Sequence, residues 1–125
     1  MSHKPDGYTS LAPYLIVEDA ERTLRFVDAV FGAEPLRIFR HDDGAIMHAE
    51  ARIDDTVLMM GQADGGPAAH VHVYVPDVDA AFTRAVEAGA SVIQEAMEKG
   101  DGDRRAGVRD DDGHTWWLST QVAAA

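Results

Sequence analysis

The chain has 125 residues, 46% hydrophobic and 26% charged, which is enough for one domain with a buried core and too apolar for a disordered segment. Its 22 acidic residues outnumber 11 basic ones, and the resulting net charge of -11 repels a phosphate backbone, so nucleic acid is excluded as a partner. No cysteine is present, which removes disulfides, thiolate metal sites and a cysteine nucleophile together.

Met1-Ser2-His3-Lys4-Pro5-Asp6 contains no apolar signal core, and the longest nearly apolar run, residues 11–17, is too short to span a bilayer. A cytoplasmic protein with no membrane partner is the expectation. Leu15-Ile16-Val17 then reads as a strand, and Ala20, Leu24, Val27 and Phe31 follow at helical spacing. Asp19 is placed to cap that helix, with Gly32-Ala33 as its stop. Three extended pieces come next, at residues 34–41, 45–53 and 56–60, separated by turn signals at Asp42-Asp43-Gly44 and Asp54-Asp55.

Gln62-Ala63-Asp64-Gly65-Gly66-Pro67 has linker chemistry. Beyond it the same order returns. Val73-Tyr74-Val75-Pro76-Asp77 is a strand and a cap, Val78, Phe82, Ala85 and Val86 are helical, and Gly89-Ala90 is the stop. Extended pieces at 91–98, 104–109 and 115–120 follow, and Arg52-Ile53-Asp54-Asp55 aligns with Arg109-Asp110-Asp111-Asp112.

The duplication predicts an α+β fold of two tandem βαβββ modules, at about residues 8–61 and 70–121, joined by a linker at about 62–69 within a single domain, 1–125. Helices outside would cover one face of an incompletely closed eight-stranded sheet, whose other face curves around a cleft. Alternation along a strand assigns the faces: Val71, Val73 and Val75 form a helix-facing row, and His70, His72 and Tyr74 point the other way. Their first-module counterparts are Ala12, Tyr14 and Ile16. The same parity aims Trp117 at the cleft and Trp116 at the helix layer or a subunit boundary.

Ala12-Pro13-Tyr14-Leu15, residues 27–32, Val71-His72-Val73-Tyr74-Val75 with Asp77-Val78-Asp79-Ala80-Ala81, and residues 102–117 together resemble the vicinal oxygen chelate superfamily of glyoxalases, dioxygenases and fosfomycin- and bleomycin-resistance proteins, in its PhnB-like branch. The resemblance covers nearly the whole chain and implies paired modules in a homodimer. It also implies a divalent metal held by one His, Gln or Glu from each of the first, fourth, fifth and eighth strands. The matching positions here are Ala12, Leu58 or its neighbour Met60, His70 and Trp117. Only His70 is a ligand suited to a divalent cation, so no metal is expected, and His70 would be the ligand if one bound. The branch's usual Asp-Pro-Phe-Gly-His turn is replaced by Asp110-Asp111-Asp112-Gly113-His114, where His114 is expected to bond backbone.

The residues expected to line the cleft are Tyr14, His48, Glu50, Leu58, Met60, His70, His72, Tyr74, Arg105 and Trp117. His48 and Glu50 alternate on a polar row, and with His70 and His72 they are the only basis for a replacement metal centre. Arg105 offers a guanidinium suited to a carboxylate or phosphonate. No nucleophile elbow, dinucleotide fingerprint or zinc spacing occurs. The favoured function is binding of a small molecule in a metal-free cleft, in the manner of bleomycin-resistance proteins. The alternatives are a metal-dependent lyase, isomerase or dioxygenase of glyoxalase type, and a structural or regulatory dimer.

Overall fold

The computed structural model describes residues 2–124. The chain divides between Pro67 and Ala68 into two compact units of the same βαβββ plan.

In the first unit, β1 (Tyr14–Val17) leads into α1 (Ala20–Phe31), then β2 (Glu34–Arg40), β3 (Ile46–Ile53) and β4 (Thr56–Gln62). The sheet order is β1-β4-β3-β2, with β1 parallel to β4 and the other pairs antiparallel. The carboxylate of Asp19 accepts from the Arg22 amide at the start of α1, and Gly32 ends the helix at φ 65°, a left-handed conformation that suits a residue without a side chain. α1 packs on β3 and β4. Its buried stripe is Ala20, Thr23, Phe26, Val27 and Val30, so Leu24 and Phe31, expected inside, lie on its half-buried flanks. Phe26 rather than Leu24 anchors the stripe because Val27 and Val30 fix the rotation of the helix. The β3–β4 turn places Asp54 at φ 52°, which aspartate tolerates better than most residues.

The second unit repeats the plan with β5 (His70–Tyr74), α2 (Val78–Glu87), β6 (Ser91–Glu98), β7 (Asp103–Arg109) and β8 (Thr115–Gln121), in the order β5-β8-β7-β6. Asp77 caps α2 by accepting from the Ala80 amide. α2 covers β6, β7 and β8 with Val78, Ala81 and Ala85, while Val86, expected in the core, is 40% exposed. Trp116 and Leu118 are fully buried, and the Trp116 indole N–H donates to Asp110 Oδ2 at 2.9 Å. Trp116 therefore belongs to the helix-facing core of its own unit, and a role at a subunit boundary is overturned. Among the described residues, no helix is long and apolar enough to cross a membrane.

Candidate functional site

The face of each sheet opposite its helix carries polar and aromatic side chains. In the first unit, strand register puts Tyr14 beside Met59, Glu50 beside Met59 and His48 beside Gly61. Tyr14, His48, Glu50, Met59 and Gly61 thus share one face. Leu58 and Met60 pair with Ala51 and Ala49, and at 2% and 0% exposure they lie in the core with Leu15 and Val17. Their expected place on the polar face is overturned. The fourth-strand residue there is Met59, displaced by one position, and a one-residue slip inverts every side chain.

Glu50 is the centre of this face, with a side chain only 4% exposed. Its Oε2 accepts from His48 Nε2 at 2.8 Å, and its Oε1 accepts from the Tyr8 hydroxyl. Burial opposes a charge on Glu50, but the bonds from His48 and Tyr8 outweigh it and hold the carboxyl below its usual range. Burial and the bond to Glu50 push the Tyr8 hydroxyl up. The other ring nitrogen of His48, Nδ1, lies 3.1 Å from the Tyr14 hydroxyl. The Tyr14 ring lies across Gly61, where an added Cβ would come within 2.9 Å of the Tyr14 oxygen. Tyr8 arrives from the N-terminal segment, held over the sheet by the bond from Arg52 Nη1 to the Gly7 carbonyl at 2.7 Å.

In the second unit, register places His70 beside Thr115, His72 beside Trp117 and Tyr74 beside Ser119, with Arg105 opposite Ser119 and Gly107 opposite Trp117. The Trp117 indole N–H donates to His70 Nδ1 at 3.1 Å, with the rings 11° from parallel. His72 Nε2 bonds Ser119 Oγ at 2.9 Å; burial, then the nearby Arg105 cation, lower the pKa of His72 despite Asp103. Tyr74 donates to Asp103 Oδ2, and this bond raises its pKa. Arg105 meets Asp101 and Asp103 at 2.9 Å each and donates through Nε to Ser119. Its guanidinium is already engaged by two carboxylates, which leaves it poorly placed to clamp an anionic ligand. The Trp117 ring overlies Gly107, where a Cβ would approach to 2.6 Å. His114 bonds backbone, its Nδ1 accepting from the Ala69 amide at 2.9 Å.

The sequence reading missed Tyr8, Gly61 and Gly107. A glycine inside a strand is a signal of close approach by another group, and it was available for Gly61 and Gly107. Tyr8 lies outside any periodic element and gave no signal.

The register moves the fourth-strand member of the set that the resemblance implies from Leu58 or Met60 to Met59, so the implied set reads Ala12, Met59, His70 and Trp117. This set does not fit a divalent ion. Ala12 has no donor, the Met59 thioether is soft, and indole only donates. His70 Nδ1 accepts from Trp117, an arrangement that needs the lone pair on Nδ1 and the ring proton on Nε2. Binding a cation through Nε2 would move that proton to Nδ1 and break the bond to Trp117. Within either unit, no three His, Asp or Glu side chains among the described residues converge as a metal centre requires.

A family model described as Glyoxalase/Bleomycin resistance protein/Dioxygenase superfamily matches residues 8–118. The uncharacterized protein Rv0887c of Mycobacterium tuberculosis (strain ATCC 25618 / H37Rv) is 35% identical over 127 residues, covering 90% of this chain and 75% of that one. Among solved structures, TioX from Micromonospora sp. ML1 aligns at a TM-score of 0.78 with 29% identity, over 90% of this chain and 98% of that one. The fosfomycin resistance protein FosX from Listeria monocytogenes aligns at 0.72 with 19% identity, over 90% and 92%, a likeness of fold.

Proposed function

We propose that this chain, which belongs to the glyoxalase/bleomycin resistance protein/dioxygenase superfamily, binds a flat or glycosylated small molecule without a metal ion. The bond from the Trp117 indole N–H to His70 Nδ1 carries the reading, because it commits the one metal-capable side chain of the family set to another partner. Exposed rings at Tyr14 and Tyr74 and the half-buried Trp117 supply stacking area for such a ligand. The net charge of -11 disfavours ligands that arrive as anions. In this reading the chain acts as one domain in a cytoplasmic homodimer of the PhnB-like branch. The proposed ligand-facing groups are Tyr14, His48, Glu50 and, in place of Leu58 and Met60, Met59 on the polar face of the first unit, and His70, His72, Tyr74, Arg105 and Trp117 on that of the second, each face taken by itself.

Elemental analysis of the purified protein, followed by titration with nickel, zinc and manganese, tests the metal-free part. No stoichiometric binding is expected, whereas one ion per chain lost in His70→Ala would establish the glyoxalase-type metalloenzyme instead. Ligand binding is read from tryptophan fluorescence. Flat aromatic compounds should quench Trp117, and Trp117→Phe should abolish the response while the buried Trp116 emission persists; a response unchanged in that variant removes Trp117 from the site.

A further inference from the structure

We infer that Tyr14, His48 and Glu50 form a proton-accepting relay, so that the first unit takes acidic phenols or enols from solution as neutral molecules and holds them as anions. This deepens the binding reading above and rests on it. The relay has a buried carboxylate at one end and a solvent-reaching hydroxyl at the other: Glu50 is 3% exposed and Tyr14 52%. Between them, His48 spans Glu50 Oε2 at 2.8 Å and the Tyr14 oxygen at 3.1 Å. Because an ionised Glu50 can only accept, the His48 proton sits on Nε2 and its Nδ1 lone pair receives the Tyr14 O–H. The outward lone pairs of the Tyr14 oxygen are then left as an acceptor. This is the order of groups in which a base, oriented by a third residue, activates a hydroxyl.

A ligand hydroxyl that donates to Tyr14 completes the chain. Its O–H bond breaks and a new Tyr14 O–H bond forms, while the former Tyr14 proton bonds His48 Nδ1. The products are a ligand oxyanion and an imidazolium paired with the Glu50 carboxylate, with no co-reactant. Acidity restricts the ligand class: phenols and enols more acidic than an ordinary phenol, whose pKa is about 10, give up the proton most readily. Entry as a neutral molecule also avoids repulsion by a chain of net charge -11. The other charged groups near this face are Arg37, stacked 5.1 Å from the Tyr8 ring centre, and Arg52, which donates to Gly7. Phe39 flanks the His48 ring, with the ring centres 5.9 Å apart.

4-Nitrophenol is the probe, because its anion absorbs visible light and its neutral form does not. In buffer below the phenol's own pKa, the protein should bring up the anion band and lower the bound phenol's pKa by about one unit or more, a tenfold shift. Calorimetry in two buffers of different ionisation enthalpy should show no proton released, since the proton stays on His48. Tyr14→Phe and His48→Gln should each return the bound phenol to its neutral spectrum. A phenol that binds but stays neutral overturns the relay and leaves the binding reading intact. A full proton released to buffer assigns the anion to the arginines and also overturns it. Absence of binding at millimolar phenol removes the ligand class, while the Trp117 assay judges binding independently.

Discussion

Glu50 shows how one side chain is decided by competing magnitudes. Burial alone would raise its pKa, yet two hydrogen bonds outweigh that and favour the charged carboxylate. A carboxyl whose folded pKa lies below its unfolded value stabilises the protein above that unfolded value, here about 4.5, and loses the contribution as pH falls through the folded one. Wild-type Tm should therefore fall as pH drops below about 4.5, and Glu50→Gln should fall less steeply there. At neutral pH the same variant should be less stable by about 1–3 kcal/mol, because one donor facing the new amide loses its acceptor. Equal acid slopes in urea unfolding of the two proteins would refute the charged assignment. His48 and Glu50 could be picked out from their alternation in β3, but their bond to each other could not, since pairing of side chains two apart on a strand depends on rotamers. Tyr8 needed a chain path that no local pattern encodes.

Elements were legible where the pattern was strict. His70-Val71-His72-Val73-Tyr74 alternates polar and apolar, so both faces of β5 read directly, and the register agrees. Val57-Leu58-Met59-Met60 does not alternate. With four apolar residues in a row, parity in β4 had no marker, and only pairing with His48 and Glu50 in β3 shows that Met59 faces the polar side. The helices were legible from their ends rather than their stripes: Asp19 and Asp77 both cap as their positions imply, while the rotation of α1 was misjudged because Leu24 and Phe26 both satisfy helical spacing. Asp19→Ala should cost about 1 kcal/mol in urea unfolding, with unchanged m, by leaving the Arg22 amide without its acceptor. A loss within error of zero would show that water replaces the cap.

Over the whole molecule, the excess of acidic groups, 22 against 11 basic, outweighs individual ion pairs such as Arg104–Asp79 and Arg40–Glu21, which are exposed and weak. Salt screens both, but self-repulsion is the larger effect in a chain of net charge -11. Raising NaCl from about 0.01 M to about 0.15 M shortens the screening length from about 30 Å to about 8 Å, so Tm should rise. A rise of about 4 °C corresponds to roughly 1 kcal/mol. A Tm that falls with salt would mean the exposed pairs dominate. The tandem architecture itself was readable because both modules repeat the order of cap, helix, stop and three strands.

The strap that brings Tyr8 to Glu50 also bears on how the protein should be handled. Trimming its first eight residues, or crowding them with a purification tag, would strip a donor from the carboxylate and bare the sheet beneath. A histidine tag belongs at the opposite terminus, and proteolysis products that begin beyond Tyr8 would misreport ligand affinity.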